Sequence, residues 1–273
     1  MIENCRIAVV TGGGNGIGRA LCHRLARDGV KVVVADLDER AARAVAAEID
    51  GIAIAADVGH ETDTAQLVER VENDIGPIDL FASNAGVTFG DGATGAASRS
   101  GCIGKVEDRW QTCWQINVMA HVYAARALLP RMIARGGGYF VNTVSAAGLL
   151  ASIGDAAYTT TKHAALGFAE SLAITHGHQG IRVSVVCPQA VQTNMIELAK
   201  SADSTDAIWG GADADGIATP EEVADCIVDG VAAGKFMILP HPTVTTYFQR
   251  KAGDHDRWIG GMQRLREKLA KPE

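Results

Sequence analysis

Tyr158 and Lys162 stand four residues apart in the stretch AAYTTTKHAALGFAESLA, with Ser145 a short segment upstream. On a helix, positions i and i+4 share one face, and a rise of about 1.5 Å per residue brings their side chains together. A lysine ammonium then sits beside a phenol. Free tyrosine titrates near pH ~10, so a tyrosine acting as a base near neutrality needs its phenolate favoured by about three units, or roughly 4 kcal/mol. A unit charge at about 4 Å contributes roughly that much at an effective dielectric of about 20. The expectation is a phenol whose pKa Lys162 pulls down. The same spacing also arises on ordinary surface helices, so the pair takes its meaning from the rest of the chain.

The elements that must position these residues alternate. Short β-branched runs recur as RIAVVT, KVVVAD, GIAIAAD, IDLFASNAG, GYFVNTVS, IRVSVVCP and FMILP, each followed by a stretch of helical character. Such alternation predicts an α/β fold, a doubly wound parallel sheet of about seven strands with helices on both faces. The runs are apolar throughout, as strands covered on both faces are. Between them TDTAQLVERVENDI and ERAARAVAAEI carry apolar residues at helical spacing. In TPEEVADCIVDGVAAG, Thr219 reads as an N-cap, Pro220 as the first helical residue and Glu222 as the partner that completes a capping box. The last segment, TVTTYFQRKAGDHDRWIGGMQRLREKL, reads as one amphipathic helix whose apolar stripe covers a neighbouring subunit or its own pocket. No repeat, charge block or linker interrupts the pattern, so residues 1–273 are read as one domain.

The first run ends in Thr11, Gly12, Gly13, Gly14, Asn15, Gly16, Ile17 and Gly18, and a helix follows at once. A strand, a glycine-rich turn and a helix N-terminus together present backbone N–H groups and a positive dipole end to an anion, and missing β-carbons permit close approach. That is the chemistry of a dinucleotide pyrophosphate site, although the glycine spacing differs from G-x-G-x-x-G. The second run ends at Asp36, followed by Leu37. A carboxylate there accepts hydrogen bonds from ribose hydroxyls and repels a 2′-phosphate, which favours NAD over NADP. Arg19 and Arg40 are the nearby cations that would reverse the preference.

Composition narrows the function classes. A formal net charge of −7 and the absence of clustered Lys and Arg argue against a nucleic-acid partner. The six cysteines show no zinc-like or redox spacing and read as reduced and structural, and His176 and His178 read as a solvated helix end, so no metal is expected. No secretory signal and no run long enough to span a bilayer is apparent, which suggests a soluble cytoplasmic protein without a membrane partner.

Taken together, these residues resemble the short single-domain branch of the short-chain dehydrogenase/reductase family, built on a Rossmann fold. Thr11 through Gly18 match its cofactor turn, Asp57 and Val58 its adenine contact, and Asn84, Ala85 and Gly86 the motif that ends its fourth strand. Asn117, Ser145, Tyr158 and Lys162 match its catalytic tetrad, and Pro188 through Thr193, with Val191, match its nicotinamide segment. The resemblance implies hydride transfer between a secondary alcohol or ketone and NAD. Tyr158 is the implied acid/base, Ser145 holds the reacting oxygen, Lys162 lowers the phenol pKa and holds the nicotinamide ribose, and Asn117 orders a water leading from Lys162 to solvent. It also implies a homotetramer with the Asn117 and Tyr158 helices at one interface. An NADPH-dependent reductase, an NAD-sensing binding protein and a sugar epimerase or dehydratase are the rival readings. Asp36, the intact tetrad and the glycine spacing disfavour them in turn.

Departures from the family pattern point to the substrate. Ser83 stands where many relatives have a second asparagine, and Gln189 replaces a glycine after the proline. Leu149, Leu150, Ile153, Gln189, Met195 and Trp209 are expected to face the substrate, together with loops over 87–106 and 201–218. Most are apolar, so a hydrophobic alcohol or ketone, aromatic or alicyclic, is the expected small-molecule partner.

Overall fold

The structure, a computed structural model, describes residues 5–89, 109–193 and 215–269. Seven parallel strands form one sheet: β1 (Ile7–Thr11), β2 (Lys31–Asp36), β3 (Ile52–Ala55), β4 (Leu80–Ser83), β5 (Gly138–Thr143), β6 (Ile181–Val186) and β7 (Met237–Ile238). Their order is β3-β2-β1-β4-β5-β6-β7, so the chain reverses its winding direction between β1 and β4. Each of the seven apolar runs forms a strand. In a sheet of this kind, ligands bind beyond the carboxyl ends of the strands at the reversal point.

Alternate residues of each strand feed opposite cores. Val9, Phe81 and Phe140 pack on one face against α3 (Glu61–Asp74), α5 (Ala120–Ala134) and α6 (Ala156–His176). Val10, Val34 and Leu80 pack on the other against α1 (Gly16–Arg27), α2 (Glu39–Glu48) and α7 (Pro220–Ala232). Burying a side chain such as Phe81 stabilises the fold by roughly 1.5–3 kcal/mol, which is why both faces must be covered. The α7 start is as the sequence predicts: Thr219 and Glu222 form a reciprocal capping box with Pro220 at the first turn.

Two elements depart from the sequence reading. The helix before β5 is composite, with α4 (Arg109–Trp114), a π-helical turn (Gln115–Met119) and then α5. The C-terminal segment is two helices, α8 (Thr243–Gly253) and α9 (His255–Leu269), not one. The break falls at Asp254, whose backbone is extended and whose carboxylate accepts a hydrogen bond from the Arg257 N–H at 2.9 Å. Aspartate is a strong helix N-cap, so it starts a new helix where the apolar stripe alone suggested continuation. No helix among the described residues is long and apolar enough to cross a membrane.

Candidate active site

One cleft of about 720 Å³ runs along the carboxyl ends of the strands. That volume is ordinary for a small-molecule site, where roughly 300–1,000 Å³ is usual. At one end the turn after β1 contributes Gly12, Asn15, Gly16 and Ile17 to its lining. Gly12 and Gly16 have positive φ of 62° and 52°, which glycine adopts without strain. Gly18 lies beneath the turn, where a β-carbon would run into the Gly12 carbonyl. The α1 N-terminus, with no side-chain cap from Asn15, leaves its first N–H groups facing the cleft.

Asp36, at the end of β2, is tied into this turn: its Oδ2 accepts from the Gly14 N–H at 2.9 Å and its Oδ1 from the Asp38 N–H at 3.0 Å. Leu37 beside it is 73% exposed and lines the cleft without bringing charge. Arg19 is paired with Glu48 at 2.7 Å, and neither it nor Arg40 lines the cleft. Asp57 and Val58 line the same end, with Asp57 Oδ1 accepting from the Gly59 N–H at 2.9 Å. A glycine cradle, a helix N-terminus without a side-chain cap and an acid at the end of the second strand fit a dinucleotide.

The middle of the cleft is set by Thr11. Its Oγ1 accepts from the Asn84 N–H at 3.0 Å and the Ala85 N–H at 3.2 Å, while Asn84 Nδ2 donates to the Thr11 carbonyl at 3.1 Å. Replacing the usual asparagine with Ser83 therefore leaves the backbone after β4 anchored. Gly86 fills a narrow gap: a β-carbon there would sit 3.2 Å from Asn117 Oδ1 and 3.3 Å from Lys162 Nζ.

At the other end Ser145, Tyr158 and Lys162 converge. Ser145 caps a short 3-10 turn (Ala146–Gly148) through the Ala147 N–H at 3.1 Å, and its hydroxyl donates to the Pro188 carbonyl at 3.4 Å. Tyr158 occupies the first turn of α6. Asp155 caps that helix by accepting from the Tyr158 N–H at 2.8 Å, and its other oxygen accepts from Thr88 Oγ1 at 2.6 Å. Sequence reasoning missed Asp155, although an aspartate three residues before a helical tyrosine is the N-cap signature.

Lys162 is 2% exposed, with Nζ 5.5 Å from the Tyr158 ring centroid and donating to the Thr143 carbonyl at 3.0 Å. The electrostatics differ from the sequence expectation. Burial pushes the Tyr158 phenol up to about 12; the Ser145 hydroxyl opposes this, and Asp155 adds to it. Burial also holds the Lys162 ammonium down to about 8, against the pull of Cys187 and Cys113. Desolvation outweighs the single cation because the ammonium is aimed at a backbone carbonyl, with its own charge disfavoured by the same burial.

Asn117 lies in the π-helical turn and does not line the cleft. Its side chain accepts from the Val87 N–H at 2.9 Å and donates to the Val87 carbonyl at 2.9 Å and to Thr161 Oγ1 at 3.2 Å. With both ends of the amide occupied, it braces the chain leaving β4. One turn on, His121 is 2% exposed with neither ring nitrogen hydrogen-bonded, and burial beside Lys162 drives its pKa down to about 3. Nothing in the periodicity distinguished this histidine from an apolar core residue.

Pro188, Val191 and Thr193 line the cleft, Thr193 packing against the glycine turn, where a β-carbon on Gly16 would meet its side chain at 3.0 Å. Among the expected substrate contacts, Leu150, Ile153 and Gln189 line it as well. Leu149 does not: it is 1% exposed and belongs to the core. The 3-10 turn rotates it inward while Leu150 faces the cavity. Met195, Trp209 and most of the two expected loops lie outside the described residues. The wall opposite Leu150 is instead Tyr247 from α8 with Trp258, Met262 and Leu265 from α9. Lys251 fastens this wall, donating to the Leu149 and Leu150 carbonyls at 2.8 Å each and lying 5.1 Å from the Trp258 ring centroid. The apolar stripe of the C-terminal segment thus covers its own pocket.

Comparison with known proteins agrees with this geometry. The short chain dehydrogenase family model matches residues 6–204. A 1-deoxy-11-beta-hydroxypentalenate dehydrogenase of Streptomyces exfoliatus is 33% identical over 240 residues, covering 86% of this chain and 82% of its own. A 3beta-hydroxysteroid dehydrogenase of Eggerthella lenta is 30% identical over 226 residues, covering 80% and 84%. A solved short chain dehydrogenase/reductase from Burkholderia phymatum in complex with NAD superposes with a TM-score of 0.79 at 25% identity, covering 94% of this chain and 96% of the other. Sequence, sheet order and site geometry agree: this chain belongs to the short-chain dehydrogenase/reductase family and is an oxidoreductase acting on hydroxyl or keto groups.

Proposed function

We propose that the protein is an NAD-dependent oxidoreductase that interconverts a hydrophobic secondary alcohol and its ketone, with Tyr158 as the proton-transfer group. The observation that carries this reading is one continuous cleft with the glycine turn and Asp36 at one end and Ser145, Tyr158 and Lys162 at the other. A nicotinamide cofactor held by the glycine turn and Asp36 would take up or supply the hydride and, in its oxidised form, would bring positive charge into the cleft. Ser145 holds the reacting oxygen by a hydrogen bond, positioned by the Pro188 carbonyl and the Ala147 N–H. With its pKa raised to about 12, Tyr158 carries its proton at neutrality and can donate it to a ketone; in oxidation it must first release that proton to solvent and takes the alcohol proton only as the phenolate. Lys162, fixed by Thr143, is placed to hold the ribose and the phenol oxygen together.

NAD is favoured over NADP because Asp36 lines the cleft at the glycine turn and no arginine among the described residues lines it. The substrate end is walled by Leu150, Ile153, Trp258, Met262 and Leu265, which suits an alicyclic or aromatic skeleton. Two relatives are named for a hydroxysteroid and a hydroxypentalenate, compounds bearing the hydroxyl such a site requires. We also propose a homo-oligomer, by likeness to the family, with α5 and α6 at one interface. The test is absorbance at the reduced-nicotinamide band with NAD or NADP and a panel of secondary alcohols. Turnover of apolar cyclic alcohols with NAD is expected. Binding of NAD without turnover of any alcohol would instead make the protein a sensor.

A further inference from the structure

Gln189 is the departure from the family pattern that the hydride-transfer chemistry leaves unused. Its backbone is fixed on two sides. The preceding Pro188 carbonyl accepts from the Ala146 N–H at 2.8 Å and from Ser145 Oγ at 3.4 Å, and the Gln189 N–H donates to His241 Nδ1 at 3.2 Å. The residue therefore starts one peptide unit from the hydroxyl that holds the reacting oxygen, and it lines the cleft.

Among the described residues its amide has no partner. The side-chain oxygen is sealed from the cleft, whereas the amide nitrogen is neither sealed in this way nor hydrogen-bonded to a described residue, so the NH2 is the end a ligand can reach. Of the other polar side chains lining this end, Thr88 donates to Asp155 at 2.6 Å and Tyr247 to Asp215 at 3.0 Å. What surrounds them is apolar, with Leu150, Ile153, Trp258 and Met262. A ligand oxygen that accepts from that NH2 gains a hydrogen bond the described residues do not supply.

We propose that Gln189 is a specificity-determining residue that selects substrates carrying a second oxygen on a carbon adjacent to the reacting one: a cyclic vicinal diol or the corresponding hydroxyketone. The inference rests on the alcohol/ketone reading above. The amide suits both members of such a pair, since its NH2 donates to a hydroxyl oxygen and to a ketone oxygen alike. A lone hydroxyl on an apolar ring leaves the amide unpaired and loses that contribution.

The test compares cyclohexanol with trans-1,2-cyclohexanediol in the native protein, Gln189→Leu and Gln189→Gly. It measures kcat/KM with NAD, NAD binding, and binding of both alcohols to the NADH complex through NADH fluorescence. The native protein is expected to prefer the diol by about tenfold or more, the worth of one such hydrogen bond. Gln189→Leu is expected to remove that preference, kcat/KM for the diol falling about tenfold further than for cyclohexanol. If both alcohols and NAD binding weaken in parallel, the amide serves the cofactor and the inference is overturned. Equal treatment of the two alcohols by native protein and variants overturns it as well. Absence of turnover with every alcohol would count against the reaction assigned to the site, while the fluorescence titrations would still decide whether Gln189 prefers the diol.

Discussion

A phenol held near pKa 12 by its surroundings is an acid in the free protein, and whatever makes it a base must arrive with the ligand. Replacing Tyr158 with Phe keeps the ring and removes only the titrating oxygen. We expect Tyr158→Phe to lower kcat by a factor of about 10³ or more while NAD binding changes less than threefold, measured by single-turnover kinetics and fluorescence titration. Substantial residual rate would move the proton transfer to another group. Asp36→Ala is expected to weaken NAD about tenfold and to bring NADP close to it, because the variant loses the ribose acceptor and the repulsion of a 2′-phosphate together. Unchanged selectivity in steady-state competition would assign the choice elsewhere.

His121 offers a test that needs no substrate. Its folded pKa of about 3 lies below the ordinary value of 6.5, so on acidification the unfolded chain binds a proton that the folded chain refuses. Stability falls from about pH 6.5 downward, by up to about 1.4 kcal/mol per pH unit until the folded pKa is reached. His121→Leu should flatten urea unfolding energies between pH 7 and pH 5, and an unchanged slope would mean another group controls acid lability.

At this scale much of the site was legible in the sequence. Ser145, Tyr158, Lys162, Asp36 and the glycines announce themselves because their chemistry constrains both residue type and spacing. The sign of the Tyr158 shift and the isolation of His121 were not, because desolvation depends on packing from segments distant in the chain.

Among the elements, the strands were readable because burial on both faces demands unbroken apolar runs. The C-terminal helices were only half readable. Their apolar stripe is visible, but the break at Asp254 and the fold back over the cleft depend on a cap and on Lys251 reaching carbonyls about a hundred residues earlier. Lys251 is desolvated, which lowers its pKa, and it makes its bonds to main-chain carbonyls instead of a carboxylate. Truncating it loosens the wall without touching the catalytic cluster. Lys251→Ala is therefore expected to raise KM for a bulky apolar alcohol several-fold and to leave kcat within about twofold. An equal loss of kcat would show that α8 and α9 also position Ser145 or Tyr158.

For the whole molecule, the proposed cofactor is also a stabiliser. A ligand at one hundred times its Kd adds about 2.7 kcal/mol to the folded state. Saturating NAD should raise Tm by several degrees, and NADP at equal concentration by clearly less; equal shifts would contradict the role given to Asp36. Sedimentation should find a homo-oligomer. Phe168 and Leu129, which line a groove shared by α5 and α6, are the positions where a charge would disrupt it.

The family match ends at residue 204, whereas the wall made by Tyr247, Trp258, Met262 and Leu265 lies wholly beyond it. The stretch that carries Ser145, Tyr158 and Lys162 thus supplies only part of the pocket lining, through Leu150, Ile153 and Gln189, and the rest comes from beyond the family pattern. Rewriting the last few dozen residues would reshape one wall of the pocket without altering Ser145, Tyr158 or Lys162.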